Sequence, residues 1–76
     1  MPLYFFDITD NGYGFPDTEG TDLADLEAAR EEALATLGEI ARDRLPDGDR
    51  REFVIKIRDG DGALMRATLS LVVEKF

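Results

Sequence analysis

Phe53-Val54-Ile55-Lys56-Ile57-Arg58-Asp59-Gly60-Asp61-Gly62-Ala63-Leu64-Met65-Arg66-Ala67-Thr68-Leu69-Ser70-Leu71-Val72-Val73 is the stretch that decides the fold. Phe53, Ile55 and Ile57 alternate with Val54, Lys56 and Arg58, a period of two that reads as a strand. Asp59-Gly60-Asp61-Gly62 is turn chemistry, and Leu64 to Val73 returns as a second strand. Met65, Ala67, Leu69, Leu71 and Val73 share one face; Leu64, Arg66, Thr68 and Ser70 share the other. A three-residue loop Gly60-Asp61-Gly62, with Gly62 left-handed, sets Ile57 opposite Met65, Ile55 opposite Ala67 and Phe53 opposite Leu69. A two-residue loop sets Ile55 against Arg66 and mixes the faces. A slip of one residue inverts every side chain, so the three-residue loop is expected.

Upstream, the apolar period changes to that of a helix. Leu26, Ala29, Ala33, Leu37 and Ile40 fall on one stripe at 100° per residue, flanked by Leu34 and Ala41. Glu27, Glu31, Glu32, Glu39 and Asp43 face away. Asp25 or Asp22 can cap the first turn, Arg42 and Arg44 suit the last, and Leu45-Pro46-Asp47-Gly48 is the stop signal. At the N-terminus, Tyr4, Phe6 and Ile8 alternate with Leu3, Phe5, Asp7 and Thr9, another strand. Asp10-Asn11-Gly12 turns it back, and Tyr13 to about Thr18 is expected to return as an edge strand, because Pro16 has no N–H to donate. The whole chain, residues 1–76, reads as one α+β domain of order ββαββ: a four-stranded, mainly antiparallel sheet with one helix packed on one face. The expected core is Tyr4, Phe6, Ile8, Leu26, Ala33, Leu37, Ile40, Phe53, Ile55, Ile57, Leu69 and Leu71.

Composition excludes more chemistry than it suggests. The chain has no cysteine and no histidine, which removes thiolate nucleophiles, Ser-His triads and His/Cys zinc sites. Net charge is −8: residues 1–49 hold three basic and thirteen acidic side chains (−10), residues 50–76 six and four (+2). Such a surface repels phosphate backbones, so no nucleic-acid partner is expected. The apolar start Met1-Pro2-Leu3-Tyr4-Phe5-Phe6 is cut off by Asp7. It is too short for a signal or membrane segment, and a cytoplasmic protein is the expectation.

Asp-Gly repeats invite a calcium loop, but no starting point supplies the ligand spacing. From Asp7 the twelfth position is Thr18, and from Asp43 it is Val54. Gly12-Tyr13-Gly14 fits neither phosphate-loop pattern. Paired carboxylates abound, yet a general acid needs a pocket that shifts its pKa, for which one helix on one sheet leaves little room. No metal, no cofactor and no catalytic residue is expected, and the protein is not expected to be an enzyme.

The residues that need explaining are Leu3, Phe5, Val54 and Leu64, which by parity point away from the helix beside Lys56, Arg58 and Arg66. The first strand is thus apolar on both faces although one helix covers only one. Leu3, Phe5, Val54, Lys56, Leu64 and Arg66 form the candidate interface, and a homodimer is the default arrangement.

Met1-Pro2-x-Tyr4-Phe5-Phe6, Pro16-Asp17-x-Glu19-Gly20-Thr21-x-Leu23-x-Asp25-Leu26-x-Ala28-Ala29-Arg30-x-Glu32-Ala33 and Arg58-Asp59-x-Asp61-Gly62 together resemble a family of short bacterial proteins described only as a domain of unknown function. The resemblance runs nearly end to end and implies a bacterial, soluble protein without a known activity. A looser similarity of layout, over about residues 4–41, is to HicB-type antitoxins: a hairpin, Pro16-Asp17-Thr18-Glu19-Gly20, then an Ala/Glu-rich helix. Neither resemblance supplies a function; from the missing catalytic groups and the apolar outer face, the function expected is a small non-catalytic interaction or regulatory protein that self-associates and can engage a further protein. The alternative is an acidic, antitoxin-like protein that masks a basic partner with its Glu-rich helix.

Overall fold

A computed structural model of the chain describes residues 2–44 and 49–76. The elements are β1 (Leu3–Asp10), β2 (Tyr13–Phe15), β3 (Thr21–Asp22), α1 (Leu26–Arg44), β4 (Arg50–Asp59) and β5 (Gly62–Val72). All strand pairs are antiparallel, in the order β2-β1-β4-β5, with β3 beside the start of β1. The expected α+β order is present, and the four strands foreseen are joined by a two-residue fifth. The stop signal Leu45-Pro46-Asp47-Gly48 lies outside the described residues.

Local chemistry accounts for the boundaries. Asn11 (φ 50°) and Gly12 (φ 93°) make the two-residue turn between Asp10 and Tyr13. The cap of α1 is Asp25, whose Oδ1 accepts the Ala28 N–H at 2.9 Å. Asp22, the other candidate, is instead paired with Leu3. β2 is shorter than expected. It stops at Phe15, where Pro16 cannot continue the ladder, and the edge resumes as β3.

The second hairpin reaches the expected register by an unexpected route. Ile57 faces Met65, Ile55 faces Ala67 and Phe53 faces Leu69. Gly62 has a positive φ of 132°, but it pairs with Asp59, so the loop is only Gly60-Asp61. Arg58 then faces Ala63, which leaves Leu64 as an extra residue, a bulge. That one added residue restores the parity a two-residue loop breaks. The Asp59 carboxylate holds the turn by accepting the Asp61 N–H at 2.8 Å.

Tyr4, Phe53, Ile55 and Ile57 bury against Ala29, Ala33 and Leu37 of α1, with Phe6, Ile8, Leu23, Leu26, Ile40, Met65 and Ala67 half-buried around them. Leu69, expected in the core, is 37% exposed, and Leu71 is only half-buried. The reason is width. A helix is about 10–12 Å across, while four strands spaced about 4.8 Å apart are wider. The inner face therefore projects beyond α1 on both flanks, at Tyr13 and Phe15 on β2 and at Leu69 on β5, all exposed.

Candidate functional site

The outer face of the sheet carries the six residues of the expected interface, and the fold divides them in two. Val54, Lys56 and Arg66 line one open hollow of about 350 Å³, together with Asp7, Thr9 and Gly14. Lys56, Leu64 and Arg66 line a second of about 310 Å³. Lys56 and Arg66 are directly opposite in register, and both are exposed. Leu3 and Phe5 lie apart from these four. Leu3 is partly exposed and Phe5 half-buried, because a turn of the same chain lies over them.

That turn is the excursion between β2 and β3. A Cβ placed on Gly20 (φ 77°) would stand 2.9 Å from the Leu3 Cγ and 3.0 Å from the Phe5 Cε1, so only glycine permits this closeness. From β4, the Arg58 guanidinium lies over the Phe5 ring, 4.5 Å from its centroid. The apolar outer side of β1 is thus partly covered from within the chain, Phe5 more than Leu3, which stays 40% exposed. Gly20→Ala is expected to cost about 1–3 kcal/mol, since it combines a left-handed backbone with a forced shift of Leu3 and Phe5. Denaturant titration checks it, and a neutral result would mean that the turn does not sit on β1.

A knot of charge fastens the turn. The Asp17 carboxylate accepts three backbone N–H groups: Phe6 at 3.0 Å, Glu19 at 3.1 Å and Gly20 at 3.0 Å. The first of these occupies the place in the β1 ladder that a continuous edge strand would fill. The Asp17 N–H in turn donates to Asp7 Oδ1 at 2.9 Å. Arg58 donates from Nε to Asp7 Oδ2 at 2.7 Å and from a terminal nitrogen to the Asp17 carbonyl at 2.8 Å. Both carboxyls are held below their usual range. For Asp17 the leading causes are the Gly20 and Phe6 N–H groups; for Asp7 it is the Arg58 hydrogen bond. Sequence reading quoted Pro16-Asp17-x-Glu19-Gly20 only as a resemblance. An Asp two and three residues before the N–H groups it accepts is a turn signal that could have revealed its role.

At the opposite end, inside, buried Asp10 accepts Arg51 Nε at 3.1 Å and Arg44 at 3.0 Å. The Arg51 hydrogen bond leads in lowering the Asp10 pKa. This pairing ties the last turn of α1 to the sheet, and Arg51 also lies 5.7 Å from the centre of the Phe53 ring. Arg44→Ala is expected to lower the melting temperature modestly, because its own side chain is half exposed. Thermal melts check this, and salt should shrink the difference.

Among the described residues no group of three or more acidic side chains converges as a metal site, and no helix is long and apolar enough to cross a membrane. The family model described as a domain of unknown function, DUF6894, matches residues 3–70, and the chain belongs to that family. No curated protein and no solved structure matches it.

Proposed function

We propose, starting from a family without an assigned activity, that this domain is a non-catalytic interaction module that self-associates, its first partner being a second copy. One observation carries the reading. The sheet is covered by α1 on a single face, and an uncovered strip of Val54, Lys56, Leu64 and Arg66 runs across the other to β5. The carboxylates point the same way. Asp7, Asp10 and Asp17 are engaged by arginines or backbone N–H groups and held as anions, the state least suited to a general acid. Light scattering across a concentration series tests the reading: concentration-dependent association is expected. A chain that stays monomeric at high micromolar concentration overturns it.

The outward face of α1 favours a second reading, that of an acidic surface masking a basic protein. Glu31, Glu32, Glu39 and Asp43 are exposed there. Charge reversal at Glu31 and Glu39 separates the two: it abolishes capture of a basic partner and leaves self-association intact.

A further inference from the structure

We infer that the second copy docks edge to edge, β5 against the partner's β5, antiparallel about a two-fold axis at Ser70. The inference rests on the self-association proposed above and narrows its contact from the outer-face strip to the β5 edge where that strip ends, with Arg66 in the seam and Val54 and Lys56 left beside it. β5 closes the sheet, with no strand beyond it among the described residues. It runs for 11 residues, Gly62–Val72, a full edge of N–H and C=O groups. Edges of this kind are normally blunted by proline, by several charges or by shortness. This one has no proline and a single charge, Arg66, and its one bulge, at Leu64, lies beside the turn, leaving the stretch beyond it regular. Apolar residues are exposed on both faces of it: Leu64 and Val72 outward, Leu69 inward.

An antiparallel strand is complementary to itself under a two-fold axis. Directly opposed residues point to the same face, so an axis through a residue joins the inner face of one sheet to that of the other. Among such axes, the one at Ser70 is the one that sets Arg66 opposite an acidic residue of the strand's continuation, Glu74. Leu69 meets the partner's Leu71, and Ala67 meets the partner's Val73. On the outer face Arg66, the single cation of the strand, stands opposite the partner's Glu74, and the pairing extends β5 by two residues to reach it. The helix adds to the same seam. Ile40 faces the β1–β2 side, where it lines a cavity with Ile8 and Phe15. Leu34 lies on the opposite flank of the wheel, toward β5, and is 44% exposed. A dimer so joined has one continuous sheet with both helices on one side.

The absence of cysteine makes the test direct. Ser70→Cys places its only thiol on the axis, facing its own copy at about 4.5–5.5 Å between Cα atoms, within the range a disulfide accepts. Thr68→Cys, on the same face, sits about 13 Å from its copy in this register. Mild oxidation is expected to link the Ser70→Cys chain into covalent dimers and to leave the Thr68→Cys chain unlinked. Arg66→Glu and Glu74→Arg should each raise the dimer dissociation constant roughly tenfold, since every change acts twice across the axis, and the double exchange should restore it. A wild type that associates while Ser70→Cys stays unlinked, or links no better than Thr68→Cys, overturns the edge geometry and leaves self-association standing. Failure of the double exchange to rescue overturns the register. A strictly monomeric wild type overturns both proposals.

Discussion

Leu37→Ala is expected to lose about 2–5 kcal/mol of folding free energy, a large share of what a domain this small possesses. Leu37 is 5% exposed and belongs to the cluster formed by Phe53, Ile55, Ile57 and Tyr4. The other buried residues of α1 are all alanines: Ala29, Ala33 and Ala41. Small residues let the helix approach the sheet closely, which leaves Leu37 as the one large buried side chain the helix contributes. Removing it deletes transfer energy and opens a cavity that a close-packed alanine stripe cannot refill. Urea titration with unchanged slope measures the loss. A change under 1 kcal/mol would show that another face of the helix meets the sheet.

Asp17→Ala is the second large effect, expected to cost about 2–3 kcal/mol, the worth of one or two hydrogen bonds to a charged group. Three backbone N–H groups lose their acceptor, and the Phe6 N–H in β1 is left without its ladder partner. Asp17→Asn keeps one acceptor oxygen and should fall between the two. The same carboxylate gives a pH signature. The folded pKa values of Asp7, Asp10 and Asp17 lie below the ordinary 3.8, so the unfolded chain binds protons first as pH falls. The stability these groups contribute is complete above about pH 4–5. It is lost as pH drops through 3.8 toward the lowered folded values. The melting temperature should therefore fall steeply below pH 4, and Asp17→Asn should flatten that fall. An acid limb as steep in Asp17→Asn as in wild type would mean that Asp17 is not held ionised by the fold.

The readable and the unreadable parts of this chain divide by the range of the interaction. The stripe Leu26, Ala29, Ala33 and Leu37 was legible because a helix repeats its face every 3.6 residues whatever it packs on. The pairs Ile57–Met65 and Phe53–Leu69 were legible because a wrong parity turns apolar side chains into water. The means of keeping that parity was not. A three-residue loop and a two-residue loop with a bulge at Leu64 give the same pairs, and only the strand geometry distinguishes them. The covering of Leu3 and Phe5 was illegible for a related reason. Their apolar character announces a cover, but the nature of that cover depends on where residues 16–20 travel after leaving the edge.

Local periodicity and turn chemistry by themselves determined the element order, the helix face, the cap at Asp25 or Asp22 and the register of the second hairpin, since each follows from neighbours close along the chain. Tertiary structure alone decided what lies where across the sheet. It brought Asp7, Asp17 and Arg58 together from positions 41 and 51 residues apart in pairs with Arg58. It put Gly20 on Leu3 and left Leu69 beyond the helix. It placed β5, rather than β4, at the open edge. Such placements depend on the width of a helix relative to a sheet and on which strand has a neighbour, quantities that exist only once distant segments have met.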